Sequence, residues 1–261
     1  MELDDAYANA AYIDGAEAFP KRWQEKARDF RAGLGSRAVL GLRYGDSERQ
    51  VFDLFRPEGD AAGTVVFVHG GYWLKFDRSS WSHLAAGPLA QGWAVAIPSY
   101  DLCPSVSIAD ITRQIAKAVE TIAERNEGPL ALAGHSAGGH LVARMLDPAV
   151  LKSDVARRIA AVVPISPLSD LRPLLRTSMN ADLRLDPAMA DAESPVLIAD
   201  RHKSRVTAWV GADERPAFLD QARWLAEKWQ CDHVIAPSKH HFDVIDDLTQ
   251  PESDLVRRLT A

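Results

Sequence analysis

The sequence predicts an α/β fold: a mostly parallel central sheet opened by an antiparallel hairpin, with helices on both faces and a small insertion. Two observations carry this. Six short apolar runs, TVVFVHG, WAVAIPSY, LALAGH, AAVVPIS, VTAWVG and HVIAPS, are separated by helix-compatible stretches, and strands without polar alternation belong to a sheet covered on both sides. Ahead of them, RAVLGLRYG and RQVFDLFRP alternate apolar and polar residues around Gly45-Asp46-Ser47, the pattern of a half-buried hairpin. Residues 1–33 read as one or two helices leading into this body. Between the strands, Ile111, Ile115, Val119 and Ile122 form an apolar stripe at spacings of three and four, so Ile108 to Ala123 is expected to be a helix. From 167 to 195 the periodicity weakens into short helical pieces broken by prolines. This stretch is expected to be a small cap over the carboxyl edge of the sheet, within one domain spanning 1–261.

Composition narrows the function classes. At 261 residues the chain can hide roughly 70–75% of its unfolded surface, and 47% hydrophobic with 25% charged residues places it among globular rather than disordered or membrane proteins. A net charge of −6 without a basic stripe argues against nucleic acid as a partner. Cys103 and Cys231 are far apart and lack metal-ligand spacing, which implies neither a disulfide framework nor a metal site and fits a reducing compartment. The amino terminus, MELDDAYANA, has no basic start or apolar stretch, and no run is long enough to span a bilayer. The expectation is a cytoplasmic protein acting on a small molecule, with no cofactor and no membrane partner; self-association is left open.

The chemistry starts at Gly134-His135-Ser136-Ala137-Gly138-Gly139-His140, between the apolar run LALA and a helix-compatible AGGHLVARML. It fits G-x-S-x-G, in which a serine sits on a sharp strand-to-helix turn and glycines keep side chains from crowding it. The turn would expose the Ser136 hydroxyl and aim the Ala137 N–H at a developing oxyanion. Upstream, His69-Gly70-Gly71-Tyr72-Trp73 follows the strand TVVFV, where a glycine loop can supply the other oxyanion donor, the N–H of Gly71 or Tyr72.

A serine hydroxyl needs a base, and the base needs an orienting acid. In the order Ser, acid, His, the base falls in Lys239-His240-His241-Phe242 after the last strand. There His241 is preferred to His240 because Phe242 can begin the packed face of a final helix. The acid falls in Gly211-Ala212-Asp213-Glu214, where Glu214, three residues past the glycine, is preferred to its neighbour Asp213. His69 and His135 flank the site as loop supports, and His140 lies one turn into a helix.

These residues resemble the α/β-hydrolase-type kynurenine formamidases (arylformamidases), within the wider hormone-sensitive-lipase-like esterases. The likeness is carried by His69-Gly70-Gly71-Tyr72-Trp73, by Gly134 to His140, by Ser169-Asp170-Leu171-Arg172-Pro173-Leu174, by Ser194-Pro195 and by His241-Phe242-Asp243-Val244-Ile245. HGGYW, where the esterases usually have HGGG, is its most specific element. In that family the acid stands four residues before a phenylalanine, as Glu214 stands before Phe218, which supports Glu214. The resemblance implies hydrolysis of an N-formyl arylamine such as N-formylkynurenine by a Ser-His-Glu triad, with Tyr72 and Trp73 either flanking an aryl ring or packing beneath the glycine loop. Broad carboxylesterase activity is the alternative. A non-catalytic ligand-binding protein on the same fold is the third reading, and the presence of all three triad residue types counts against it.

Overall fold

A computed structural model describes residues 1–261. Eight strands, β1 Ala38–Arg43, β2 Val51–Phe55, β3 Thr64–Val68, β4 Ala94–Pro98, β5 Leu130–His135, β6 Ile159–Ile165, β7 Arg205–Gly211 and β8 Asp232–Ala236, form one sheet in the order β1-β2-β4-β3-β5-β6-β7-β8. The β1–β2 and β2–β4 pairs are antiparallel; all others are parallel. The hairpin and all six apolar runs are thus strands of this sheet. Nine α-helices accompany them: α1 Phe19–Leu34, α2 Ala86–Ala90, α3 Ile108–Arg125, α4 Ala137–Arg144, α5 Ser153–Ala156, α6 Asn180–Leu183, α7 Pro187–Ala192, α8 Pro216–Trp229 and α9 Asp254–Thr260.

Side chains of a strand point alternately to opposite faces, and the two cores follow that rule. Val66 and Val68 of β3 and Leu130 and Leu132 of β5 join Ile111, Ile115, Leu141, Phe218 and Leu225 from α3, α4 and α8 on one face. Val65, Phe67, Ala131 and Ala133 join Phe19 and Trp23 of α1 and Leu255 and Leu259 of α9 on the other. The stripe on α3 is buried as its spacing requires, and Ser107 with Asp110 closes a capping box at its start.

Residues 1–18 hold only short 3₁₀ turns before α1, so the amino-terminal helical lead-in is a single helix. The first residues are fastened by side chains from distant parts of the chain. Arg176 pairs with Glu2, Arg215 pairs with Asp5, and Tyr72 Oη donates to the Tyr7 carbonyl at 2.7 Å. Residues 167–195 carry a 3₁₀ turn at Arg172–Arg176 and the helices α6 and α7. They are anchored by buried polar contacts: Gln221 Oε1 accepts from the Ser169 and Asp170 amides at 2.7 Å, and Glu193 Oε2 accepts from Thr112 Oγ1 at 2.7 Å.

The strand order places the site. Chain order reverses direction at β3, which lies between β4 and β5, and such a switch point opens a crevice at the carboxyl ends of the strands. The loops leaving β3 and β5 meet there, with Val68 paired to Gly134. The loops after β6, β7 and β8 leave the same edge.

Candidate active site

Ser136 occupies the turn between β5 and α4 with φ 56° and ψ −117°, a left-handed region costing a non-glycine residue of order 1–3 kcal/mol. The flanking glycines are explained by backbone packing rather than by room around the hydroxyl. A Cβ on Gly134 would lie 2.1 Å from the Gly138 carbonyl oxygen, and one on Gly138 would lie 2.0 Å from that of Val68. They let α4 press against β5 and β3, and that pressure bends the chain sharply enough to present Ser136.

The loop after β3 approaches the same turn. A Cβ on Gly70 would meet the His135 carbonyl oxygen at 2.8 Å, so only glycine lets the loop come this close. Gly71, Tyr72 and Trp73 all have positive φ, at 110°, 53° and 59°. The amides of Gly71 and Tyr72 donate to no acceptor in the protein, and Ala137, first residue of α4, has an N–H without an intrahelical partner. Both candidate loop donors are therefore uncommitted. Trp73 is fully buried and meets His140 edge-on at 5.1 Å. Of the two placements expected for it, Trp73 takes the packing one beneath the loop and not one facing substrate, while Tyr72 is only partly buried.

Of the two histidines after β8, the structure brings His241 into the site. Its Nδ1 lies 2.6 Å from Glu214 Oε2, and the side chains are 5% and 0% exposed. Because a carboxylate only accepts, Nδ1 carries the proton and Nε2 is left as a proton acceptor. The imidazole packs on His135, the residue preceding Ser136, at 4.6 Å, and on Phe218 in the first turn of α8 at 4.3 Å. Phe218 thus gives the four-residue spacing from Glu214 a physical reason, since the bend before α8 carries the acid and the first turn of that helix carries the ring support. Nε2 makes no hydrogen bond to Ser136 Oγ here, a contact that commonly tightens only around substrate. His240 takes a different part: its Nδ1 accepts from the Phe242 amide at 3.1 Å and stabilises the turn. The expectation that Phe242 opens a helix is corrected. Phe242 sits in that turn against Phe19 and Trp23, and the last helix begins at Asp254.

Glu214 and Asp213 are adjacent in sequence but separated in environment. Asp213 is exposed. Glu214 Oε1 accepts from the Gly211 amide at 2.9 Å and from Ser166 Oγ at 2.5 Å, while Oε2 serves His241. Sequence reasoning missed Ser166, whose one signal is its place directly after an apolar strand. It also missed Tyr7, which packs on Phe218 and receives a hydrogen bond from Gln221.

Three further buried histidines around the site, His69, His135 and His140, stay neutral. Burial lowers His69 to about 4 and His140 to about 3, and burial beside His241 holds His135 well below its usual range. The unfolded chain takes up protons below about 6.5 where the folded chain does not, so folding stability is complete above that pH and falls as pH drops. The loss from His69 levels off below about 4 and that from His140 below about 3. Urea unfolding between pH 6.5 and 5 is expected to show stability falling by up to about 1.4 kcal/mol per pH unit for each of them. His140→Gln should flatten that slope, and a profile level across the window would contradict the assignment.

The fold and this edge define the class: the chain belongs to the α/β-hydrolase-fold family, whose model matches residues 65–239. Among known proteins it is 30% identical over 239 residues to a kynurenine formamidase from Drosophila melanogaster, covering 84% of this chain and 79% of that one. A solved structure from Silicibacter sp., provisionally described as a thioesterase, is 63% identical, with TM-score 0.99 over the whole of both chains. Esterase B from Lactobacillus rhamnosis shares the fold at TM-score 0.66 and 18% identity, covering 94% of this chain and 92% of that one. The protein is accordingly a hydrolase of this family, similar to the kynurenine formamidases. No helix is long and apolar enough to cross a membrane.

Proposed function

We propose that the protein is a serine hydrolase that cleaves an aryl formamide of the N-formylkynurenine type, with Ser136, His241 and Glu214 as its triad. The observation that carries the proposal is the buried Glu214–His241 pair, set against the residue next to a strained serine at the switch point of the sheet. In this reading Ser136 Oγ attacks the formyl carbon as its proton passes to His241 Nε2. The amides of Gly71 or Tyr72 and of Ala137 receive the oxyanion. The C–N bond then breaks, with His241 protonating the leaving amine. Water, activated by the same imidazole, releases formate from the serine ester.

The formamide reading is supported by the likeness to the Drosophila formamidase and by the recess of the nucleophile. Ser136 is 2% exposed, and formyl, the smallest acyl group, asks the least room there. A carboxylesterase is the second reading, favoured by the shared HGG and GHSAG elements. Thioester cleavage, suggested by the Silicibacter relative's description, would use the same acyl-transfer chemistry. Its usual carrier is polyanionic, however, and Arg172, Arg176 and Arg215 are already paired with Asp170, Glu2 and Asp5. Turnover of N-formylkynurenine, p-nitrophenyl acetate and a short acyl thioester by the purified protein separates the three. Release of formate and free amine with a kcat/KM at or above that for the ester is expected. Rapid ester cleavage with undetectable formamide cleavage would make it a carboxylesterase.

A further inference from the structure

We infer that Ser166, the residue immediately after β6, is a positioning residue that orients Glu214 and, through it, the imidazole of His241; the inference rests on the triad reading above. Ser166 is completely buried, its hydroxyl donates to Glu214 Oε1, and it makes no other side-chain hydrogen bond. Its backbone has φ 48° and its amide donates to the Trp209 carbonyl at 2.6 Å. The chain therefore holds a non-glycine residue in the left-handed region in the core of the sheet edge, where glycine would be adopted without cost. Strain of this kind persists where the surroundings over-determine it, and it clusters at functional sites.

What the strained serine supplies is a second donor. The Gly211 amide alone, at 2.9 Å, would leave the carboxylate free to swing about that single bond. With Ser166 donating to the same oxygen from the neighbouring strand, the plane of the carboxylate is fixed, and Oε2 is the atom left for Nδ1 of His241. Glu214 lies three residues past the end of β7 yet reaches back to the amide of that strand's last residue and to a hydroxyl just past the end of β6.

Four measurements test this. Ser166→Ala keeps the backbone strain and removes the hydroxyl; it is expected to lower kcat about 10-fold or more while KM changes little, as losing a group that orients a reacting residue does. Ser166→Gly relieves the strain as well. It should fold at least as stably as the native chain and still lose the same activity, which separates the hydrogen bond from the conformation. In a Glu214→Gln background, Ser166→Ala should cost less than about 2-fold more, because residues acting through one another are not additive; a merely structural serine would cost as much there as in the native chain. The downfield proton resonance of the His241 Nδ1–H bond reads the same geometry without turnover. It should be present in the native protein and move upfield in Ser166→Ala. If the native protein cleaves no formamide, ester or thioester, the proposed function fails while this resonance still reports on Ser166. An unmoved resonance in Ser166→Ala, or full activity in that variant, overturns the inference.

Discussion

Ser136→Ala is expected to lower kcat by at least about a thousandfold on whichever acyl substrate the protein prefers, with KM little changed, and to abolish labelling by a fluorophosphonate probe. The size follows from what the hydroxyl does. It forms the covalent bond to the acyl carbon, and without it only oxyanion donors and binding remain to speed attack by water. The structure also predicts that the variant folds normally. Alanine keeps the same Cβ, so the strain at φ 56° is unchanged, and the serine makes its backbone bonds, N–H to Ile165 and carbonyl to His140, whatever its side chain. Its unfolding free energy should therefore stay within about 0.5 kcal/mol of the native protein. A variant that keeps more than a tenth of native kcat would mean that Ser136 is not the nucleophile.

The parts of this architecture that were legible in the chain are those written in local pattern. The inner strands β3 to β7 are apolar runs because they are covered on both faces, whereas the edge strand β8 buries only Ala236, and α3 shows its buried stripe because a helix repeats every few residues. The reversal of order at β3, and the antiparallel pairing of β2 with β4, were not legible, since no local pattern records which strand a given strand will sit beside. The candidate site divides the same way. Ser136 sits inside a motif that is itself a backbone conformation. Glu214 could be separated from Asp213 by its spacing to Phe218, and the contact of Phe218 with His241 is the reason that spacing matters. Ser166 left only its place after an apolar strand as a signal, because a serine at positive φ looks in sequence like any other serine there. Phe242 is expected to begin the packed face of a final helix, yet it is held in a turn by His240 and packs on aromatic rings of α1. The amino-terminal fastening depends on pairs as far apart as Asp5 and Arg215, beyond the range of any sequence window.

Glu214→Gln is expected to lower kcat by about a thousandfold or more, and Asp213→Asn to change it less than about threefold. Glutamine is nearly the size of glutamate, so the result turns on which atom faces which partner. Ser166 and the Gly211 amide both donate to the Oε1 position, and they will hold the carbonyl oxygen of glutamine there. Its NH₂ group is then left facing His241 Nδ1. An amide N–H pointing at Nδ1 selects the tautomer with the proton on Nε2, and that nitrogen can no longer take a proton from Ser136. The imidazole stays in place with its polarity reversed, so KM should change far less than kcat. Asp213 stands in solvent, and its backbone amide bond to the Lys239 carbonyl at 2.9 Å survives the substitution to asparagine. Steady-state kinetics on the two variants, with melting temperatures to show that both fold, decide the assignment. A large loss in Asp213→Asn beside a small one in Glu214→Gln would transfer the role of the acid to the exposed neighbour.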